Sequence, residues 1–156
     1  MAIEAFDKPD KTPSQLKPED LAVSYVKKTH NNTGNRGREY QVYSELNNIM
    51  LPGYQQLAFS EMLDKSRRSI KPAYSNLPVA IYIGFEELYL PNYGTDLADL
   101  FNHDFNRVLI LSTIIQSVEA VRQFHNLGFI HRDIKLENFV YDGKTVRLID
   151  FEFAVK

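Results

Sequence analysis

The stretch His131-Arg132-Asp133-Ile134-Lys135-Leu136-Glu137-Asn138, followed twelve residues later by Asp150-Phe151, decides how this chain is read. It sets an acid beside a cation, places an amide five residues on, and closes with a second acid. Those groups in that order are what phosphoryl transfer requires. One carboxylate orients an attacking hydroxyl, a lysine neutralises the travelling phosphoryl group, and an amide–carboxylate pair holds a metal ion.

Between the two pieces, Phe139-Val140-Tyr141, the turn Asp142-Gly143 and the run Val146-Arg147-Leu148-Ile149 read as a hairpin. Upstream, Leu111, Ile114, Ile115, Val118, Val121 and Phe124 recur at helical spacing. Residues 107–125 therefore read as a helix with an apolar stripe, and Gly128 stands where a C-terminal cap belongs. Thr95 is placed to N-cap a short helix through Phe101. Val79–Ile83 and Leu88–Leu90 read as paired strands. Arg38 to Asn48 reads as a helix with Val42, Leu46 and Ile49 on one face, ended by Leu51-Pro52-Gly53. Leu21 to Lys27 reads as a strand, Asn31 to Gly37 as a turn-rich loop, and Tyr54 to Leu63 as a short helix before a loop carrying Lys65, Arg67, Arg68 and Lys71. Residues 1–20, with Pro9, Pro13 and Pro18, read as irregular.

Composition narrows the class. At 156 residues, 44% hydrophobic and 24% charged, the chain is one ordinary globular domain's worth of sequence. A net charge of −2 supplies no field toward nucleic acid or membrane, and no basic–aromatic interleaving suggests nucleic acid. The absence of cysteine excludes a disulfide framework and a thiolate metal site. No apolar run approaches the roughly 18 residues of a membrane span, and no signal-peptide core is present.

The order strand, helix, two strands, short helix, long helix, charged loop and hairpin resembles a protein kinase, read from its lysine-bearing strand to its magnesium motif. The casein kinase 1 branch is the most similar, through Gly94-Thr95-Asp96-Leu97-Ala98-Asp99-Leu100-Phe101 and Gly128-Phe129-Ile130-His131-Arg132-Asp133. The resemblance covers roughly 21–156. It implies an α+β, minimal kinase-like fold: an N-lobe part over 21–93, with a small antiparallel sheet and one helix, and a truncated helical C-lobe over 94–156. Bacterial effector kinases and viral kinase mimics look like trimmings of this kind.

By position, the resemblance makes Asp133 the base for the substrate hydroxyl and Lys135 the γ-phosphate contact of a Ser/Thr-type enzyme. Asn138 and Asp150 become the Mg²⁺ ligands. Lys27 becomes the ATP-binding lysine, paired with Glu39, with Glu45 as the fallback partner. Tyr43 matches a spine position. Pro91 and Tyr93 match the backbone groups that meet adenine, and Val140 the residue packed beneath it. ATP and Mg are the implied cofactors and a protein the implied substrate. A host chaperone or ubiquitin-pathway component is one such target, for a chain that is cytoplasmic or secreted into a host cell by a pathogen. Two other readings stand beside this one: a silent mimic that binds a kinase, chaperone or host regulator, and transfer of another group from ATP, such as AMP.

Three positions depart from the family pattern. No glycine precedes Gly34, so the glycine-rich phosphate loop is absent or unrecognisable. Tyr25 falls two before Lys27, where the family keeps a small residue. The metal motif reads Asp-Phe-Glu, with Glu152 in the place of glycine.

Overall fold

The computed structural model describes residues 25–29, 33–68, 71–84, 87–103 and 106–156, with 33–36 as backbone only. The irregular segment expected over 1–20 lies outside the described residues, as do 21–24. The chain divides into two compact units, Met1–Ile70 with Val79–Asn92, and Lys71–Pro78 with Tyr93–Lys156.

The first unit contains β1 (Tyr25–Thr29), α1 (Thr33–Met50), α2 (Phe59–Lys65), β2 (Tyr82–Ile83) and β3 (Glu87–Pro91). Its sheet is antiparallel in the order β1-β3-β2, with Lys27 opposite Tyr89 and Lys28 opposite Leu88. The two-residue period of a strand sorts the side chains. Tyr25, Tyr82 and Tyr89 share one face, where Tyr25 and Tyr89 stack at 5.3 Å between centroids. Phe59 of α2 meets both of those rings edge-on, so α2 covers this face. The opposite face carries Val26, Lys28 and the fully buried Leu88.

Helix α1 begins at Thr33, earlier than the expected Arg38, and takes in much of the expected turn-rich loop. Gly34 and Gly37 are poor helix formers, but Val42, Tyr43, Leu46 and Met50 are buried further along. Tertiary packing of that face carries the weak first turn. Asn47 is fully buried and bonds Ala80 twice, Nδ2 to the carbonyl at 2.9 Å and Oδ1 from the N–H at 2.8 Å. That exchange satisfies both amide groups and pins α1 to the approach of β2. The short helix expected over Tyr54 to Leu63 is instead a 3-10 turn at Tyr54–Gln56 followed by α2.

The second unit contains β4 (Thr95–Asp96), α3 (Leu97–His103), α4 (Arg107–Asn126), β5 (Phe139–Tyr141) and β6 (Val146–Leu148). Its sheet runs β4-β5-β6, all antiparallel. Thr95 does not cap α3. It lies in β4 opposite Tyr141, and the Asp99 N–H donates to Asp96 Oδ1 at 2.9 Å instead. Gly94 is required beside that strand. It has φ of 116°, and a Cβ there would sit 2.0 Å from the Tyr141 carbonyl oxygen.

Helix α4 is N-capped by the Asn106 side chain, which accepts from Leu109 N–H at 3.1 Å. It ends at Gly128, whose φ is 90°. Of its apolar stripe only Phe124 is buried. Val108 (78%), Leu111 (61%), Ile115 (60%) and Val118 (66%) are exposed, while Thr113, Ser117, Ala120, Gln123 and Phe124 are buried. The buried face is small and polar because it lies against β6, whose outer edge needs hydrogen-bonding groups. The Thr113 and Ser117 hydroxyls are satisfied inside the helix, by Ile110 O and Thr113 O. Beside the exposed stripe, Val118, Val121, Ile134, Leu136 and Phe139 line an apolar groove of about 310 Å³.

Candidate active site

The loop from His131 to Asn138 is held by its own side chains. His131 is buried and bridges two backbone groups. Its Nε2–H donates to Ile149 O at 2.8 Å, and its Nδ1 accepts from Asp133 N–H at 3.1 Å. One nitrogen donates to a carbonyl and the other accepts from an amide, which is the pattern of the neutral ring. The ring sits edge-on to Phe151 and Phe124, and Phe124 stacks on Phe129 and Phe151 at 5.0 and 4.9 Å. This aromatic block lies beneath both halves of the motif. Arg132 takes φ of 69°, and its Nε donates to Phe153 O at 2.7 Å. A two-bond bridge between Ile130 and Val155, at 2.7 and 2.9 Å, ties the same two segments together.

Asn138 closes a 3-10 turn at Leu136–Asn138. Its Nδ2 donates to the Asp133 carbonyl at 2.8 Å and to Asp133 Oδ2 at 3.1 Å. Lys135 Nζ stands 3.6 Å from the same Oδ2. Both partners hold the Asp133 carboxylate in one orientation while leaving it partly exposed. The Asn138 carbonyl accepts from Ile149 N–H at 2.9 Å, which places the amide donor at the foot of the strand leading to Asp150. Asp150 has φ of 64°, a left-handed backbone at a non-glycine residue. Glu152 does not have positive φ, so the missing glycine strains no backbone here.

The hairpin that carries these groups has its own lock. Arg147 is buried, donates to Asp142 Oδ2 at 3.0 Å, and lies 4.5 Å over the Tyr93 ring. Burial works against the Asp142 carboxylate. The N–H groups of Thr145 and Lys144 and the Arg147 guanidinium outweigh it and hold its pKa below the ordinary aspartate value. Val140 is buried in β5 opposite Arg147. Pro91 closes β3 in the first unit, and Tyr93 is buried in the second.

A magnesium ion fits the donor set of the second unit. The Asn138 amide nitrogen is committed to Asp133, which leaves the amide oxygen as a hard ligand beside a carboxylate at the end of the same hairpin. Among the described residues no cluster of three or more His, Cys, Asp or Glu side chains forms. One amide and one carboxylate suit an ion that keeps water and substrate phosphates as its other ligands.

In the first unit the expected Lys27–Glu39 pair is replaced. Lys28 Nζ contacts Glu39 Oε1 at 2.7 Å, with the Glu39 side chain fully buried. Lys27 lies on the other sheet face and bonds Glu87 at 2.9 Å, which holds its pKa above the ordinary lysine value. The register is one residue later than expected, and a one-residue slip exchanges the two faces of a strand. Tyr25 carried the signal. Counting from Lys28, the residue two before is Val26, and Tyr25 turns to the aromatic face with Phe59 and Tyr89.

Residues 82–156 match the protein kinase domain family. The chain is 30% identical to casein kinase I homolog 1 of Saccharomyces cerevisiae over 92 residues, which are 51% of this chain and 17% of that protein. It is 49% identical over 39 residues to testis-specific serine/threonine-protein kinase 3 of human and of mouse, 25% of this chain and 15% of theirs. The fold is shared with a solved structure of a divergent kinase that lacks the glycine-rich loop and regulates membrane ultrastructure of the Toxoplasma parasitophorous vacuole. The TM-score is 0.51 at 24% identity, covering 90% of this chain and 49% of that one. The chain thus aligns with less than a fifth of these curated relatives' length.

Proposed function

Because the chain belongs to the protein kinase superfamily, we propose that it is a Ser/Thr-type protein kinase that moves the γ-phosphate of ATP to a protein hydroxyl with Mg²⁺. The observation that carries this reading is the Asp133 carboxylate, fixed by the Asn138 amide at 3.1 Å with Lys135 at 3.6 Å. A silent mimic needs no such arrangement.

In the reaction, Asp133 accepts the proton of the substrate hydroxyl as its oxygen bonds to the γ-phosphorus. The bond from that phosphorus to the β–γ bridging oxygen breaks, and ADP leaves. Lys135 supplies positive charge to the phosphoryl group in transit. Asn138 Oδ1 and the Asp150 carboxylate are the groups that would hold Mg²⁺, which neutralises phosphate charge when bound. His131 holds the backbone of Asp133 and Ile149 in register, so both acids keep their place without moving during the step. The Lys28–Glu39 pair is the counterpart of the family's ATP lysine and its glutamate. The lack of glycine before Gly34 leaves the fold intact, since the solved neighbour with this fold is itself described as lacking the glycine-rich loop.

The test is incubation with γ-labelled ATP and Mg²⁺ plus cell lysate, beside Asp133→Asn. Label on a Ser or Thr of a lysate protein is expected, with the rate in the variant lower by roughly 10²–10⁴-fold. Equal labelling by both proteins would remove Asp133 from its role. Binding of Mg·ATP without γ-label would turn attention to α-labelled ATP and transfer of AMP.

A further inference from the structure

Strand β6 ends two residues before Asp150 and has a single strand neighbour, β5, among the described residues. Its other edge is closed by amides. Val146 O accepts from Asn76 Nδ2 at 2.7 Å, and Leu148 N–H donates to the Asn76 backbone carbonyl at 3.1 Å. Val146 N–H donates to Gln116 Oε1 at 2.8 Å. One residue and one glutamine thus take the place of a fourth strand.

Asn76 is itself held by α4. Its N–H donates to Gln123 Oε1 at 2.9 Å, and its Oδ1 accepts from Gln123 Nε2 at 3.1 Å. Its Nδ2 also donates to Gln116 Oε1 at 3.1 Å. Asn76 and Gln123 are both buried. Gln116 and Gln123 stand seven residues apart, two turns along one helix face, so both reach the same asparagine. Every hydrogen-bonding group of Asn76 has a partner, and all of them lie in the second unit. These contacts draw residues 71–78 into that unit.

We propose that Asn76 is a positioning residue for the metal-binding carboxylate of Asp150, acting through β6 and supported by Gln116 and Gln123. The inference rests on the kinase reading and extends it to a residue outside the motif. Asp150 has left-handed φ at 64°, and such a backbone persists only where its flanks over-determine it. On the inner side, Ile149 is held by Asn138 O and by His131 Nε2. On the outer side the fixing contacts are those of Asn76 and Gln116. The two metal donors, Asn138 just before β5 and Asp150 just after β6, flank the open end of the hairpin, so slack in β6 changes their separation. A small ion that demands near-octahedral oxygen geometry is sensitive to that change.

The test measures ATP binding to the full chain by calorimetry, over a Mg²⁺ series and in EDTA. In Asn76→Ala and Asn76→Asp the Mg²⁺ concentration giving half of the metal-dependent gain in affinity should rise by roughly 10–100-fold, the scale of losing a supporting shell. Affinity for ATP in EDTA should stay at the wild-type value. Loss of general stability alone would not separate the two readouts. Gln116→Leu should shift the midpoint the same way, while Gln116→Glu, which keeps the acceptor for both N–H donors and loses only the exposed Nε2 bond to Lys144 O at 3.2 Å, should shift it far less. If Asn76→Ala does not fold, the Gln116 pair decides. Folded variants with an unmoved Mg²⁺ midpoint overturn the positioning role. Wild-type protein with no Mg²⁺-dependent ATP binding overturns the kinase reading and this inference together.

Discussion

At the scale of single residues, the lysine pair Lys27–Lys28 shows what one position is worth. Lys28 faces a fully buried carboxylate, and Lys27 an exposed one. Removing the partner of a buried charge costs about 3 kcal/mol or more, because the charge stays behind in a poor solvent. An exposed pair is screened by solvent and contributes little. Lys28→Ala should therefore lower the urea midpoint well beyond Lys27→Ala, and adding Glu39→Gln to Lys28→Ala should restore much of the loss. Equal midpoints for the two single variants would return the pair to Lys27. Sequence alone favoured Lys27 because the alternation of β1 is weak: Val26 and Lys28 share a face that is only partly covered. That Asp133, Lys135 and Asn138 stand together was legible at once, because a short loop fixes their spacing locally and no long-range register enters.

At the scale of elements, helix α4 separates periodicity from burial. Its length and its C-terminal end were legible from the stripe and from Gly128, since these are local. Which face turns inward was not, because apolar spacing says nothing about the surface opposite. Here that surface is the edge of β6, which calls for Gln116, Gln123 and small residues instead of leucines. The consequence is measurable. Phe124 is fully buried within the aromatic block, and Phe124→Ala should cost about 3–5 kcal/mol in denaturant unfolding. Leu111→Ala, exposed on the far face, should change stability by no more than about 0.5 kcal/mol. Were Leu111→Ala to cost as much as Phe124→Ala, the stripe would be core after all. The same contrast explains Thr95. A hydroxyl before an apolar run is a sound cap signal, but the pairing of β4 with β5 claims that residue and passes the cap to Asp96.

At the scale of the whole molecule, the reading from sequence was strongest where chemistry is local and weakest where partners are distant. The segment from Gly128 to Phe151 is a loop and hairpin whose groups bond one another, and it sits inside the 82–156 match to the kinase domain. The first unit is assembled by pairings such as Asn47 with Ala80 and Phe59 with Tyr89, which no short window contains. Binding thermodynamics tests the whole. A ligand that binds only the folded chain stabilises it by RT ln(1 + [L]/Kd), about 2.7 kcal/mol at a hundredfold excess over Kd, or roughly 5–10 °C in melting temperature for a chain of this size. Mg·ATP should raise the melting temperature of the wild type and of Asp133→Asn alike, because the role proposed for Asp133 is on the substrate hydroxyl and not on the nucleotide. Asp150→Asn should respond to ATP no more strongly with Mg²⁺ than with EDTA, because it lacks the carboxylate proposed to hold the metal. A full Mg²⁺-dependent shift in Asp150→Asn would move the ion away from Asn138 and Asp150. Its loss in Asp133→Asn would make Asp133 a nucleotide-site residue instead of the base.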